Sequence, residues 1–256
     1  MKEKLKRPLL FVLAVLPFAA VGGYFTGSYA YDSYTPEVQQ QILAQVGSVS
    51  SLSLISALQS VVYTVIFGLI GYVLSERIGL MKPFRFQKQP LLRTCAVTAV
   101  LGILFSLDYW TFGSALPEVA ALYESGLLFR SFSNWMASVF YGGMIEEILM
   151  RLFLMSLFAF LLWKLFFRRQ SHETIPTGVF VAANVLSALL FAAGHLPATV
   201  NMFGGLSPLI LARCFLFNGV LGLVFGRLYR TYGIQYAMVS HAGCHIISKL
   251  IWLIFL

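Results

Sequence analysis

Long apolar stretches separated by short polar ones set the pattern of this chain. Apolar runs occupy about 8–30, 54–74, 94–113, 133–163, 178–195, 206–226 and 234–256, near or above the roughly 17–25 residues that a helix needs to cross a bilayer. A segment without water around it must satisfy its own backbone, so runs of this kind are helices. The breaks carry Pro83, Pro90, Pro117, Pro176, Pro197, Gly204-Gly205 and Gly233, residues that end helices or turn the chain. The fourth run is too long for one plain crossing, and tilt or a bend at Gly142-Gly143 is expected to take up the excess. The polar stretch 36–52, PEVQQQILAQVGSVSSL, predicts a short helix outside the spans, near the surface. The pattern predicts an all-α polytopic transmembrane helix bundle of about seven spans.

Composition strengthens this reading. The chain has 256 residues, 59% hydrophobic and 11% charged, where a soluble domain carries about 25% charged residues. The length suits one membrane domain with no sizeable soluble one. No internal repeat, low-complexity tract or nucleotide-binding glycine motif is evident. Two parts are expected: 1–130, N-terminal transmembrane helices and connecting loops, and 131–256, a core that carries the candidate chemistry.

The basic residues predict an orientation. Lys2, Lys4, Lys6 and Arg7 precede the first span, and Arg77, Lys82, Arg85, Lys88 and Arg93 surround the second connection. Lys164, Arg168 and Arg169 end the fourth span, and Arg227 and Arg230 end the sixth. With seven crossings all of these fall on one side, and Arg130 falls on the other. That asymmetry makes the N-terminal side cytoplasmic. It also accounts for the net charge of +8 through basic loops beside anionic lipid, with no nucleic acid as partner. The start of the chain also has the outline of a signal peptide, with basic residues, an apolar run and SYA at 28–30. The run is long for one, so an uncleaved anchor is expected, in an integral protein of the plasma membrane.

Cys95, Cys214 and Cys244 all fall in spans, which argues against a disulfide framework. Cys244 neighbours His245 and reads as a small apolar filler or a site neighbour. An ionised side chain at the bilayer centre costs at least about 2.5–3.5 kcal/mol, so such residues face a protein interior or a water-filled cavity. Those expected inside the membrane are Glu146, Glu147, Arg151, His195, Arg213, His241 and His245. His172 lies in a connection beside Glu173 and is expected to be solvated. Glu147 and Arg151 are i,i+4 and can pair within one helix. Glu146 points about 100° away and stays free. His241 and His245 share a face of the last span, and Phe191 and His195 a face of the fifth. One carboxylate and three imidazoles from three spans offer water activation: one group takes a proton and another donates to a developing oxyanion. Buried Glu–Arg pairs and lone histidines also serve packing alone, and the set as a whole is what favours chemistry. In straight helices Glu146 would lie about 27 Å from the inner boundary and His241 about 10 Å, a mismatch that the fold has to remove.

EEILMR at 146–151, FAAGH at 191–195 and HAGCH at 241–245 together resemble the EExxxR, FxxxH and HxxxN/D motifs of the CPBP family, the CAAX-prenyl-protease and bacteriocin-processing (Abi) membrane proteins. The resemblance covers roughly 130–250 and makes 131–256 a CPBP-like catalytic core. It implies an intramembrane glutamic endopeptidase without cofactor or metal, acting on a membrane-associated or lipid-anchored peptide. By position, Glu146 would be the general base, helped by His195. Glu147 would hold Arg151, and His241 would donate to the oxyanion. His245 replaces the family's Asn or Asp, and its imidazole can still donate a hydrogen bond. Three histidines and a carboxylate are also a plausible zinc set, so a zinc-dependent protease is one alternative. A non-catalytic regulator or immunity-type protein is the other.

Overall fold

The computed structural model describes residues 2–256, with side chains from residue 5 onward; Lys2 and Lys4, counted above toward the orientation, fall outside the described side chains. The chain forms α1 (Lys2–Ser33), α2 (Pro36–Val46), α3 (Val49–Arg77) and α4 (Lys88–Gly113, its last turn π-helical). After α5 (Pro117–Glu124) comes α6 (Phe132–Phe166), then α7 (Thr177–Gly194) and its continuation α8 (Leu196–Phe203). The chain ends with α9 (Pro208–Tyr232) and α10 (Ile234–Phe255). Seven helical segments are long and apolar enough to cross a membrane, in agreement with the seven runs. The first part of the polar stretch forms α2, which buries none of its residues, while residues 49–52 open α3 instead.

Local chemistry sets the helix ends. Ser48 and Ser207 cap α3 and α9, their hydroxyls accepting from Ser51 N–H at 3.1 Å and Ile210 N–H at 3.2 Å, which satisfies donors that a helix start leaves open. Gly204 ends α8 at φ 72°, in the left-handed region where glycine bears no Cβ penalty.

The fourth span carries a winding that its length alone did not suggest. It winds as a π-helix over Ala137–Glu146 and again over Ile148–Met155. Such a helix bonds i to i+5, so it holds more residues per turn and climbs less per residue. The glycine pair permits close approach. A Cβ on Gly143 would lie 2.8 Å from the Cα of Ala242 on α10. Glu146 Oε2 and His241 Nε2 lie 4.0 Å apart, so the mismatch in depth expected of straight helices is absent.

α1 packs along α3 and α6, and α10 packs along α4 and α6. Ile145, Ile148 and Leu152 of α6, each at 0% exposure, join Val15, Ala19 and Leu101 from the first 130 residues in one core. Large apolar side chains point outward around the bundle, among them Leu13, Leu58, Val100, Leu189 and Leu253. A water-soluble protein would bury such residues, whereas a lipid-facing surface is made of them.

Candidate active site

α6 supplies the site's two carboxylates, and the helix separates them. Glu147 is fully buried. Its Oε1 sits 3.1 Å from Arg151 Nη1 and accepts a hydrogen bond from His241 Nδ1 at 2.8 Å. Arg151, also buried, lies against the rings of Phe191 and Phe225, 4.8 and 5.6 Å from their centroids, and donates to Gly222 O at 3.0 Å. A Cβ on Gly222 would come within 2.8 Å of that guanidinium, so the missing side chain makes room for the cation. The expected Glu147–Arg151 pair is present, and it has an imidazole as third member.

Glu146 keeps 18% of its side chain exposed and forms no direct hydrogen bond among the described residues. His195 Nε2 lies 3.9 Å from its Oε1 and His241 Nε2 lies 4.0 Å from its Oε2. Both imidazoles are oriented by their other nitrogen. His195 Nδ1–H donates to Phe191 O at 2.8 Å, and His241 Nδ1–H donates to Glu147. In the neutral tautomers these bonds require, both Nε2 atoms carry lone pairs toward Glu146. His195 owes its place to the end of α7, where the helix stops at Gly194 and the imidazole follows as its C-cap.

His241 is stacked between Phe225, at 4.6 Å, and His245, at 5.2 Å between centroids. His245 takes no ring hydrogen bond among the described residues. Its Nε2 faces Gly142, where an added Cβ would lie 3.5 Å from it and 3.9 Å from Glu146 Oε2. Glu146, His195, His241 and His245 all line one cavity of about 540 Å³, which Phe191, Cys214 and Cys244 also line. Glu147 and Arg151 lie behind its wall. Among the described residues no group of three or more His, Cys, Asp or Glu side chains is arranged to hold a metal ion, so the four candidate zinc ligands do not converge as a set.

Two charges in the spans escaped the sequence reading. Asp108, 0% exposed near the end of α4, accepts from Arg213 Nε at 2.9 Å and from Tyr123 Oη at 2.6 Å. Burial, with that carboxylate beside it, holds the Tyr123 phenol well above its usual range, so it remains a donor. Lys249, 2% exposed, donates to Leu128 O at 2.7 Å and to Asn134 Oδ1, and it lines the cavity. Its signal was available: 241, 245 and 249 are successive i,i+4 positions on one face of α10.

No curated protein and no solved structure matches this chain. One family model does, described as type II CAAX prenyl endopeptidase Rce1-like, over residues 128–247. That stretch contains all seven motif residues and agrees with the resemblance carried by EEILMR, FAAGH and HAGCH. The chain is an integral membrane protein, and its segment 128–247 matches the model of the Rce1-like family.

Proposed function

We propose that this protein is an intramembrane glutamic endopeptidase that hydrolyses a peptide bond in a membrane-associated or lipid-anchored peptide. The family match supports a protease, and one observation carries the mechanism. Of the two adjacent carboxylates, Glu147 is engaged by Arg151 and His241, while Glu146 faces the cavity between two imidazole lone pairs at 3.9 and 4.0 Å. Separations of that size suit a water between the groups better than a direct bond.

In this reading Glu146 and His195 orient the water. As its oxygen bonds to the scissile carbonyl carbon, Glu146 takes its proton. The carbonyl oxygen becomes an oxyanion and accepts from His245 N–H, which no other bond occupies. His241, whose Nδ1–H is held by Glu147, adds a second donor in the form that carries a proton on Nε2. The C–N bond then breaks, and Glu146 returns the proton to the leaving amine. No metal enters these steps. The protein sits in the plasma membrane with its N-terminus in the cytoplasm.

The test is peptide cleavage by purified protein in detergent. Glu146→Gln keeps the shape and removes the base, so hydrolysis should vanish while the yield of folded protein stays near wild type. Cleavage that persists in Glu146→Gln would sink the proposal.

A further inference from the structure

The cavity has a direction. Its floor is the ring of Glu146, His241, Phe191 and Phe225, and from there it runs toward the end of the bundle where α1, α8 and α10 finish. Tyr34, Leu122 and Phe203 stand at that end and line it. None of its lining residues comes from the connections 78–87, 167–176 and 227–233 at the opposite end.

That opposite end is closed. Below Arg151, Tyr229, at 0% exposure, bonds both Ser156, at 3.0 Å, and Ser75, at 2.8 Å. The connection before α4 is drawn across the start of α10. Gln235 Nε2 donates to Pro83 O at 3.2 Å and to Arg85 O at 3.0 Å, and Gln87 N–H donates to Tyr236 Oη at 2.8 Å. These bonds lie between the connection 78–87 and Arg151, and the cavity lining does not extend into them.

Charge distinguishes the two ends. The closed end carries Lys82, Arg85, Lys88, Arg168, Arg169 and Arg227, while at the open end Glu37, Glu118 and Glu124 outnumber Arg130. Basic connections stay in the cytoplasm. From the cavity's course and this asymmetry, we infer that the site takes its substrate from the extracytoplasmic side of the membrane. The substrate is then a peptide that has already crossed the bilayer, or one anchored in the outer leaflet, and not a cytosolic chain end. The inference rests on the proposal that the Glu146 cluster is hydrolytic, but its test does not need activity.

Single cysteines are placed in a chain whose own three are replaced by alanine. Ala198→Cys reports the cavity one turn beyond His195, Glu124→Cys the open end and Lys88→Cys the basic end. A membrane-impermeant thiol reagent is applied to spheroplasts and to inverted vesicles. The expected result is labelling at 198 and 124 in spheroplasts, and at 88 only in inverted vesicles. Labelling at 198 that follows position 88, or at 198 from neither side, overturns the inference. Loss of cleavage in Glu146→Gln is scored separately in detergent, where sidedness does not exist. A wrong side and a wrong mechanism therefore give different results.

Discussion

Adjacent glutamates in one motif have opposite fates because successive helix positions face different surroundings. Glu147 shares its charge with Arg151 and His241 at full burial. Removing that charge leaves a buried guanidinium uncompensated, a loss of about 3–5 kcal/mol for a broken buried pair. Glu147→Gln should therefore lower both the yield of monodisperse protein and its midpoint of thermal unfolding, whereas Glu146→Gln should change neither. His245 separates two chemistries. If it donates to the oxyanion, His245→Asn retains a donor and most activity, while His245→Ala loses about 10²–10³ in rate, and chelators leave wild type unaffected. Stoichiometric zinc in active protein, lost together with activity in His245→Asn, would instead establish the metal reading. The motif residues were legible because i,i+4 spacing says which side chains share a face. Asp108 was not, since it is a single charge in an apolar run, and Lys249 was legible only from its place one turn after His245. The partners that make them tolerable, Arg213 for Asp108 and Asn134 for Lys249, come from helices remote in sequence.

At the scale of elements, the seven runs could be read from hydropathy alone, because the bilayer fixes the length of any segment that crosses it. The winding of α6 could not. Regular α geometry puts Glu146 and His241 at different depths, yet the structure brings Glu147 Oε1 and His241 Nδ1 to 2.8 Å. Composition does not announce a π-helical stretch, nor how far each helix extends past its apolar run. The contact that holds this arrangement is Gly143 against Ala242. A Cβ at 143 would meet the Cβ, Cα and N of Ala242 at 2.5, 2.8 and 3.0 Å. Backbone cannot give way as a side-chain tip can, so α10 must move off α6. Overpacking of this kind costs about 1–3 kcal/mol, and here it also pulls His241 from Glu147. Gly143→Ala should thus cost far more in cleavage rate than in yield. Gly178→Ala, where nothing lies within 4 Å, should match wild type in both. Equal activity in the two variants would show that the close α6–α10 contact does not position the site.

For the molecule as a whole, the family match covers 128–247, but the contacts that hold that segment reach well beyond it. Thr98 on α4 donates to Ser240 at 2.9 Å, and Asp108 neutralises Arg213. Apolar faces alone would not make the first part necessary, since lipid solvates a leucine as well as another helix does. The polar ties do. A chain of residues 128–256 leaves Arg213 without its carboxylate inside the membrane, and an intramembrane charge of this kind is retained only where it is paired or hydrated. Residues 128–256 produced alone should therefore fail to accumulate as monodisperse protein in detergent. Co-production of residues 1–127 should restore both a co-purifying pair and cleavage, because the break falls in the connection between α5 and α6, outside every span. Asp108→Asn in the co-produced first half removes the countercharge but keeps a hydrogen-bonding side chain, and it should weaken the pair without reversing topology. A stable, active 128–256 fragment would mean that the first three spans are dispensable to the site and that the Asp108–Arg213 pair contributes little to holding it.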